Sequence, residues 1–191
     1  MITAILLAAG ESKRFLNENK LIKNYRGKVL INHILKSLII SKVQKIIIVL
    51  GYEKNKIKNI SLKSKKITFI FNKNYKQGIS SSIKTGVKKI NKNHKGFIIV
   101  QADMPFVKTS HINKIYNSLI KNNKLVHLLV YKKKIGNPIG FNKLVIEKFK
   151  KISGDIGAKY MVKKLKNNSH FIKINSNKIF KDLDIKKDFF I

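Results

Sequence analysis

Residues 2–14, ITAILLAAGESKR, join an apolar run to a turn of small residues and then to charged side chains. We predict a β-strand over Ile2–Leu7 and a turn at residues 8–10, Ala-Ala-Gly. Backbone N–H groups in such a turn can approach an anion closely because no large side chain covers them. Arg14 and Lys20 place two mobile cations just behind the turn. The stretch therefore predicts the first strand of an α/β domain and a binding site for a polyphosphate.

Apolar runs of strand length alternate with helical patterns as far as Lys132, after which the pattern becomes less regular. This alternation indicates an α/β fold with a mostly parallel sheet. No internal repeat and no long linker divides the chain, so we expect one domain. The predicted strands are Ile2–Leu7, Val43–Leu50, Ile67–Phe71, Gly96–Val100 and Leu125–Tyr131, and the predicted helices are Val29–Ile40, Ser80–Ile90 and Ser110–Lys121.

Composition excludes several classes of protein. The 191 residues include no cysteine, which excludes a disulfide framework and a thiolate metal site. The apolar runs are far shorter than the roughly 20 residues that span a bilayer. The start of the chain lacks the pattern of a secretory signal. We therefore expect a soluble, cytoplasmic protein that has no membrane partner.

The net charge of +33 leaves two interpretations open. Forty-two basic residues against nine acidic ones could mark a nucleic-acid-binding protein. However, the lysines are spread along the whole chain, and Arg14 and Arg26 are the only arginines, whereas readers of nucleic acid concentrate arginine. We favour a lysine-rich composition of the solvated faces over a nucleic-acid site. Either way, the charge should attract anionic substrates.

A second motif, residues 101–105 (Gln-Ala-Asp-Met-Pro), follows the predicted strand Gly96–Val100. Asp103 could cap the next helix, or it could ligate Mg²⁺, which prefers carboxylate oxygen. The ends of parallel strands meet at one edge of a sheet, so Asp103 and the turn at residues 8–10 could face the same crevice. The scarcity of acidic residues favours a specific role for an aspartate in a motif.

The local sequence pattern does not identify a chemical role for the serines at positions 80–82 or for the five histidines. The serines follow Gly78 and precede a predicted helix, so they could cap it or offer donors to a nucleotide. The histidines lack metal-ligand spacing and form no group with serine and aspartate that would suggest a nucleophilic triad. We expect structural or surface roles for the histidines.

Seven motifs occur in one collinear order along nearly the whole chain, and each alone is weakly specific. They are Leu7-Ala8-Ala9-Gly10-x-Ser12-x-Arg14, Asn19-Lys20-Leu21, Gly78-x-Ser80-Ser81-Ser82 with Gly86, Asp103-Met104-Pro105, Gly136-Asn137-Pro138 with Phe141, Gly154-Asp155-x-Gly157-Ala158, and Asp182-Leu183-Asp184. As an ordered set they resemble the nucleotidyltransferases of the molybdenum cofactor cytidylyltransferase type. The resemblance implies a Rossmann-like, three-layer α/β/α nucleotidyltransferase domain over residues 1–191. Its nucleotide-binding half would be residues 1–107 and its acceptor-binding half residues 108–191.

The resemblance also implies roles for individual residues. Arg14, Lys20 and Asp103 would be catalytic, with Mg²⁺ held by Asp103 and by Asp184, or less favourably by Asp182. The nucleotide would contact Leu7, Ala8, Ala9, Gly10, Ser12, Gly78, Ser80, Ser81 and Ser82. The acceptor would contact Gly136, Asn137, Pro138, Gly154 and Asp155.

The implied reaction is transfer of CMP from CTP to the terminal phosphate of molybdopterin, with release of pyrophosphate. Family members with Leu-Ala-Ala-Gly tend to use CTP, whereas the related guanylyltransferases have Leu-Ala-Gly-Gly. The alternatives are a related transferase that uses GTP or another phosphorylated acceptor, such as a sugar phosphate or phosphocholine, and a basic nucleic-acid-binding protein. We expect a monomer whose partners are small-molecule substrates and a recipient molybdoenzyme or its chaperone, without nucleic acid.

Two positions depart from the family pattern. A glycine is usual where Leu16 stands, and Thr-Pro usually follows the second aspartate of the closing motif, where Ile185 and Lys186 stand. Asp184 is therefore a weaker prediction for a metal ligand than Asp103. The departures also keep open a relative that binds nucleotide without turnover.

Overall fold

The predicted first strand lies inside a seven-stranded sheet in the computed structural model, which describes residues 1–15 and 18–190. The sheet order is β5-β4-β1-β6-β8-β7-β9, and all strands except β8 run in the same direction. The mostly parallel sheet is therefore confirmed. The strands of this sheet are β1 (Ile2–Ala8), β4 (Lys45–Leu50), β5 (Ile67–Phe71), β6 (Gly96–Gln101), β7 (Val126–Tyr131), β8 (Lys134–Asn142) and β9 (Ser169–Lys173).

Helices cover both faces of the sheet and give the three layers. In the described residues α1, α2 and α4 contribute to one apolar core, and α3, α5 and α6 contribute to the other. Alternate residues of β1 supply the two cores, so Leu6 points to one face and Ile5 to the other. The helices are α1 (Leu30–Ile40), α2 (Lys54–Ile60), α3 (Ile79–Val87), α4 (Thr109–Lys121), α5 (Ile146–Lys150) and α6 (Ala158–Lys164), and a separate hairpin pairs β2 (Asn24–Tyr25) with β3 (Lys28–Val29). None of these helices is long and apolar enough to cross a bilayer.

The antiparallel strand β8 was not predicted from the sequence. It contains Gly136, Pro138 and Gly140, which are poor strand formers. Tertiary packing explains Gly140, because a Cβ there would lie 2.5 Å from the side chain of Ile115 in α4. The glycine lets the helix approach the sheet, so packing overrides the local preference.

His127 is a fully buried polar residue in β7 with a complete set of partners. Its Nε2 lies 2.9 Å from the carbonyl oxygen of Lys124, which requires a proton on Nε2. Its Nδ1 therefore accepts from the Ser118 hydroxyl at 2.7 Å. Nδ1 of His170 lies 2.8 Å from the same hydroxyl and donates to it. Burial lowers the pKa of His127 from 6.5 to about 4.

Acidification should destabilise the protein through His127. The unfolded chain takes up this proton near pH 6.5 and the folded chain near pH 4, so the stabilisation is complete above 6.5 and is lost as the pH falls towards 4. The free energy of unfolding should decrease by up to about 3 kcal/mol over that window. Urea denaturation at several pH values measures the slope. His127→Gln should make this slope shallower, and a slope equal to that of wild type would contradict the role of His127.

Candidate active site

A cavity of about 680 Å³ opens at the carboxyl ends of β1 and β6. It joins the turn after β1, the segment after β6 and two loops from later in the chain, as expected for a ligand site in an open α/β sheet. Most of the sequence-predicted site residues reach it. The lining residues are Leu7, Ala9–Arg14, Lys20, Leu21, Tyr75–Ile79, Ser82, Gln101–Asp103, Gly154, Asp155, Asp182 and Asp184.

The turn after β1 lines this cavity with residues 10–13, whose backbone N–H groups are available as donors. Within residues 1–15 and 18–190, no oxygen accepts a hydrogen bond from the N–H groups of residues 10–13. The turn is fixed from behind, where the N–H of Tyr52 donates to the carbonyl oxygen of Ala9 at 3.2 Å. Gly51 permits this approach, since a Cβ there would lie 2.5 Å from the same oxygen. The turn is thus held in place, and its residues 10–13 line the cavity.

Three carboxylates from two distant segments meet at one end of the cavity. Asp103 follows β6, and one oxygen from each of Asp103, Asp182 and Asp184 lies within 4.8 Å of the other two. The N–H of Leu183 donates to the carbonyl oxygen of Asp103 at 3.1 Å, and the Leu183 side chain is buried. This anchor brings the closing motif to Asp103.

The C-terminal segment also fixes the backbone at Asp184. Oδ2 of Asp188 accepts from the N–H of Asp184 at 2.8 Å and from the N–H of Ile185 at 3.1 Å. Burial would raise the pKa of Asp188, but these hydrogen bonds and the charges of Lys181 and Lys20 together lower it. Although Ile185 replaces the usual threonine, Asp184 is held at the site.

The two cations predicted to bind phosphate form ion pairs with the carboxylates predicted to bind metal. Nζ of Lys20 is 2.7 Å from an oxygen of Asp103 and 2.7 Å from an oxygen of Asp184. Nη2 of Arg14 is 2.8 Å from the other oxygen of Asp184. The Lys20 side chain is 11% exposed, whereas that of Arg14 is 74% exposed. Lys20 is therefore an internal bridge and Arg14 a surface one.

Burial and charge act in opposite directions on this ion pair. Burial lowers the pKa of Lys20, but Asp103 and Asp184 together raise it above its usual value. Burial also raises the pKa of Asp103, against the effect of the Lys20 ammonium. Lys20 consequently stays protonated.

The serine run lies at the amino end of α3, and one of its three residues borders the cavity. Ser82 lines it, whereas Ser80 and Ser81 lie behind the lining. The Ser81 hydroxyl donates within the loop, with the carbonyl oxygens of Asn74 and Gly78 both at 2.8 Å, and it accepts from Nδ2 of Asn72. The structure thus gives Ser81 a local role in holding the loop.

The loop before α3 touches one of the two predicted acceptor segments. The N–H of Ser80 donates to the carbonyl oxygen of Gly154 at 3.2 Å, and a Cβ on Gly78 would lie 2.5 Å from that oxygen. Gly154 and Asp155 line the cavity. The other acceptor segment, residues 136–138 in β8, is not part of this lining, so its role remains a prediction.

Sequence reasoning did not single out every residue of the lining. Tyr75, Lys76 and Gln77 form a short 3₁₀ helix beside the cavity, and no periodicity marks them. Gln101 ends β6 and was quoted only as part of the aspartate motif. Leu16, the departure in the first motif, lies outside the described residues.

Two observations indicate that the carboxylate cluster is suited to a divalent cation. Oδ1 of Asp103 is buried and has no hydrogen-bond partner among the described residues. The donors of the cluster are carboxylate oxygens, which suit Mg²⁺ and Mn²⁺. Asp103, Asp182 and Asp184 could supply ligands to such an ion.

A family model described as the MobA-like NTP transferase domain matches residues 4–169. Among curated proteins, the bifunctional protein GlmU of Clostridioides difficile is 26% identical over 146 residues, which are 76% of this chain and 30% of that protein. The bifunctional enzyme IspD/IspF of Pelagibacter ubique is 32% identical over 142 residues, which are 71% of this chain and 37% of that protein. The chain thus spans about a third of the length of these curated relatives.

Solved structures share the fold at low sequence identity. Rv0371c from Mycobacterium tuberculosis superposes with a TM-score of 0.85 and 18% identity, covering 98% of this chain and 95% of that chain. A structure of Rv0371C in complex with manganese has a TM-score of 0.81 and 17% identity, and covers 98% and 95% of the two chains. These similarities support the three-layer α/β fold described above.

Proposed function

Since this chain belongs to the family of MobA-like NTP transferase domains, we propose that it transfers CMP from CTP to the terminal phosphate of molybdopterin and releases pyrophosphate. The proposed enzyme is a molybdenum cofactor cytidylyltransferase with Mg²⁺ as its metal. It would act as a monomer in the cytoplasm and hand its product to a molybdoenzyme or its chaperone.

The observation that carries the proposal is the meeting of three parts in one cavity. The N–H groups of residues 10–13, the cations of Lys20 and Arg14, and the carboxylates of Asp103 and Asp184 all border it. Backbone donors and cations are suited to the phosphates of a nucleotide, and carboxylates to the metal that accompanies those phosphates. A polyphosphate and its metal would bring these groups to work together.

The transfer step requires positioning and charge neutralisation rather than a side-chain base. A terminal phosphate oxygen of the acceptor attacks the α-phosphorus of CTP, and the bond from that phosphorus to the pyrophosphate oxygen breaks. The attacking oxygen is already ionised near neutral pH, in keeping with the absence of histidine from the cavity lining among the described residues. Arg14, Lys20 and the N–H groups after β1 would stabilise charge on the phosphates.

The metal would be held by Asp103 and Asp184, with Asp182 as a further carboxylate within reach. When bound, it supplies charge neutralisation for the phosphates. On the acceptor side, Gly154 and Asp155 border the same cavity, next to the loop that carries Gly78. This proximity supports an acceptor placed beside the nucleotide.

The choice of nucleotide and acceptor rests on two kinds of support. The signature Leu-Ala-Ala-Gly resembles that of the CTP-using members, and one relative in structure is a 4-diphosphocytidyl-2C-methyl-D-erythritol synthase from Anaerococcus prevotii (TM-score 0.76, 15% identity, 99% of this chain and 94% of that chain). The collinear motifs, among them residues 136–138 and 154–158, support molybdopterin. The alternative is a related transferase that uses GTP or another phosphorylated acceptor.

Pyrophosphate release tests reaction and substrates together. The purified protein is incubated with Mg²⁺, molybdenum-bound molybdopterin and CTP, GTP or ATP in turn. We expect release with CTP alone and formation of the cytidylylated cofactor by mass spectrometry.

Other results would revise the proposal at defined points. Release with GTP would change the nucleotide, and release with CTP only when a sugar phosphate or phosphocholine replaces molybdopterin would change the acceptor. No release with any pair, together with tight and salt-sensitive binding of random duplex DNA, would contradict the transferase and favour the nucleic-acid alternative.

A further inference from the structure

We propose that the Lys20 ammonium takes the place of the metal in the ligand-free protein and keeps a divalent cation out until phosphates draw Lys20 away. The inference deepens the proposed function, because it assigns Lys20 a role before any reaction occurs. Nucleotide and metal would then bind with positive coupling, through an exchange of ion pairs.

The position of Nζ carries this inference. It lies 2.7 Å from Asp103 and 2.7 Å from Asp184, so it bridges the two carboxylates that a metal would bridge. Mg²⁺ binds oxygen at about 2.0–2.1 Å, so a cation between the same oxygens would overlap the ammonium. A metal held by these two oxygens and the Lys20 ammonium therefore exclude each other.

The charges of the cluster favour the same exchange. Three carboxylates, Asp103, Asp182 and Asp184, face two cations, Lys20 and Arg14, which leaves one net negative charge. A divalent cation added to this set meets two positive groups already in place. When a triphosphate accepts Lys20 and Arg14, three carboxylates are left for the metal.

Burial separates Lys20 from the other cation. Its side chain is 11% exposed and is enclosed with Asp103, so it needs a replacement partner before it can leave. Arg14 touches only Asp184 in the cluster and is largely in water. We expect removal of Lys20 to affect metal binding much more than removal of Arg14.

The direct test is Mn²⁺ binding in the absence of nucleotide, measured through the electron paramagnetic resonance signal of free Mn²⁺. Lys20→Met should bind Mn²⁺ at least about 10-fold more tightly than wild type, within the usual range of coupling between sites. Arg14→Met should show a smaller gain. Lys23→Met is the matched control, because it removes a nearby lysine that pairs with Glu18 and does not contact the cluster.

Binding of CTP in EDTA tests the reciprocal step. Asp103→Asn should bind CTP more tightly than wild type, because Lys20 loses one of its two carboxylate partners. Asp182→Asn makes the same change of charge in the cluster and has no ion pair with Lys20, so its gain should be smaller.

The Mn²⁺ and CTP binding experiments test this inference separately from the proposed function. If Lys20→Met binds Mn²⁺ no more tightly than Lys23→Met, the exclusion of metal by Lys20 is wrong. Lys20→Gln repeats that comparison should the methionine variant fail to fold by circular dichroism. If Asp103→Asn gains no more affinity for CTP than Asp182→Asn does, the proposed displacement of Lys20 by phosphate is wrong. Absence of CTP binding in every variant would contradict the proposed function, while the Mn²⁺ result would still decide the role of Lys20.

Discussion

Asp103→Asn should lower kcat on the order of 10³-fold or more, with CTP and acceptor saturating. The substitution keeps the size of the side chain but removes the charge that would hold the metal, and a metal contributes several kcal/mol of charge stabilisation to a transition state. Asp103 is also the most enclosed of the three carboxylates, with a side chain 17% exposed and one oxygen without a partner among the described residues. Rates of pyrophosphate release in wild type and variant measure the loss.

The control for this prediction is the change of an acidic residue outside the site. Glu147 pairs with Lys150 on the surface, and Glu147→Gln should retain wild-type turnover. Circular dichroism should show an intact fold for Asp103→Asn, because Lys20 keeps Asp184 as a partner. Turnover by Asp103→Asn close to that of wild type would contradict the assignment of Asp103 to the metal.

The parts of the fold that could be predicted are those with a continuous apolar signal. β1, β4 and β6 are buried on both faces, so their sequences are near-continuous apolar runs that end at a turn. The helices α1 and α4 were found within one residue of their observed starts because their apolar positions recur at helical spacing. A strand that is buried on both faces can therefore be recognised from its sequence alone.

The second half of the domain was less predictable because its elements depend on tertiary contacts. α5 has five residues and α6 has seven, too short for a periodic pattern to stand out. β9 lies at the edge of the sheet, and its burial alternates only weakly. β8 needs Gly140 for close packing against α4, a requirement that no local rule contains.

The candidate site divides in the same way. The turn at residues 8–10 and Asp103 each follow a strand with a clear apolar signal. Physical reasoning could therefore place both at one edge of the sheet. Asp184 lies 81 positions after Asp103, and only the resemblance connected them. The ion pairs of Lys20 could not be inferred at all, since one lysine among so many carries no local signal. Its partners become visible only when the closing motif is folded back to Asp103.

Lys20→Met should lower kcat by about 10²–10³-fold, as expected when one charge-stabilising contact to a transition state is lost. The reason is that Lys20 is a buried cation beside both the carboxylates and the turn after β1, where the phosphates would lie. An interaction that strengthens as charge develops affects kcat, whereas one that binds substrate and transition state equally affects only KM.

The same variant would show two opposite effects if both roles of Lys20 hold. The proposed exchange predicts tighter metal binding in the resting protein, and the proposed catalytic role predicts slower turnover even with metal and CTP saturating. Steady-state kinetics at saturating Mg²⁺ separate these effects, with Lys23→Met as the matched control that should keep wild-type kcat. A raised KM with unchanged kcat would make Lys20 a binding group alone, and the stabilisation of the transition state would then rest on Arg14, the N–H groups after β1 and the metal.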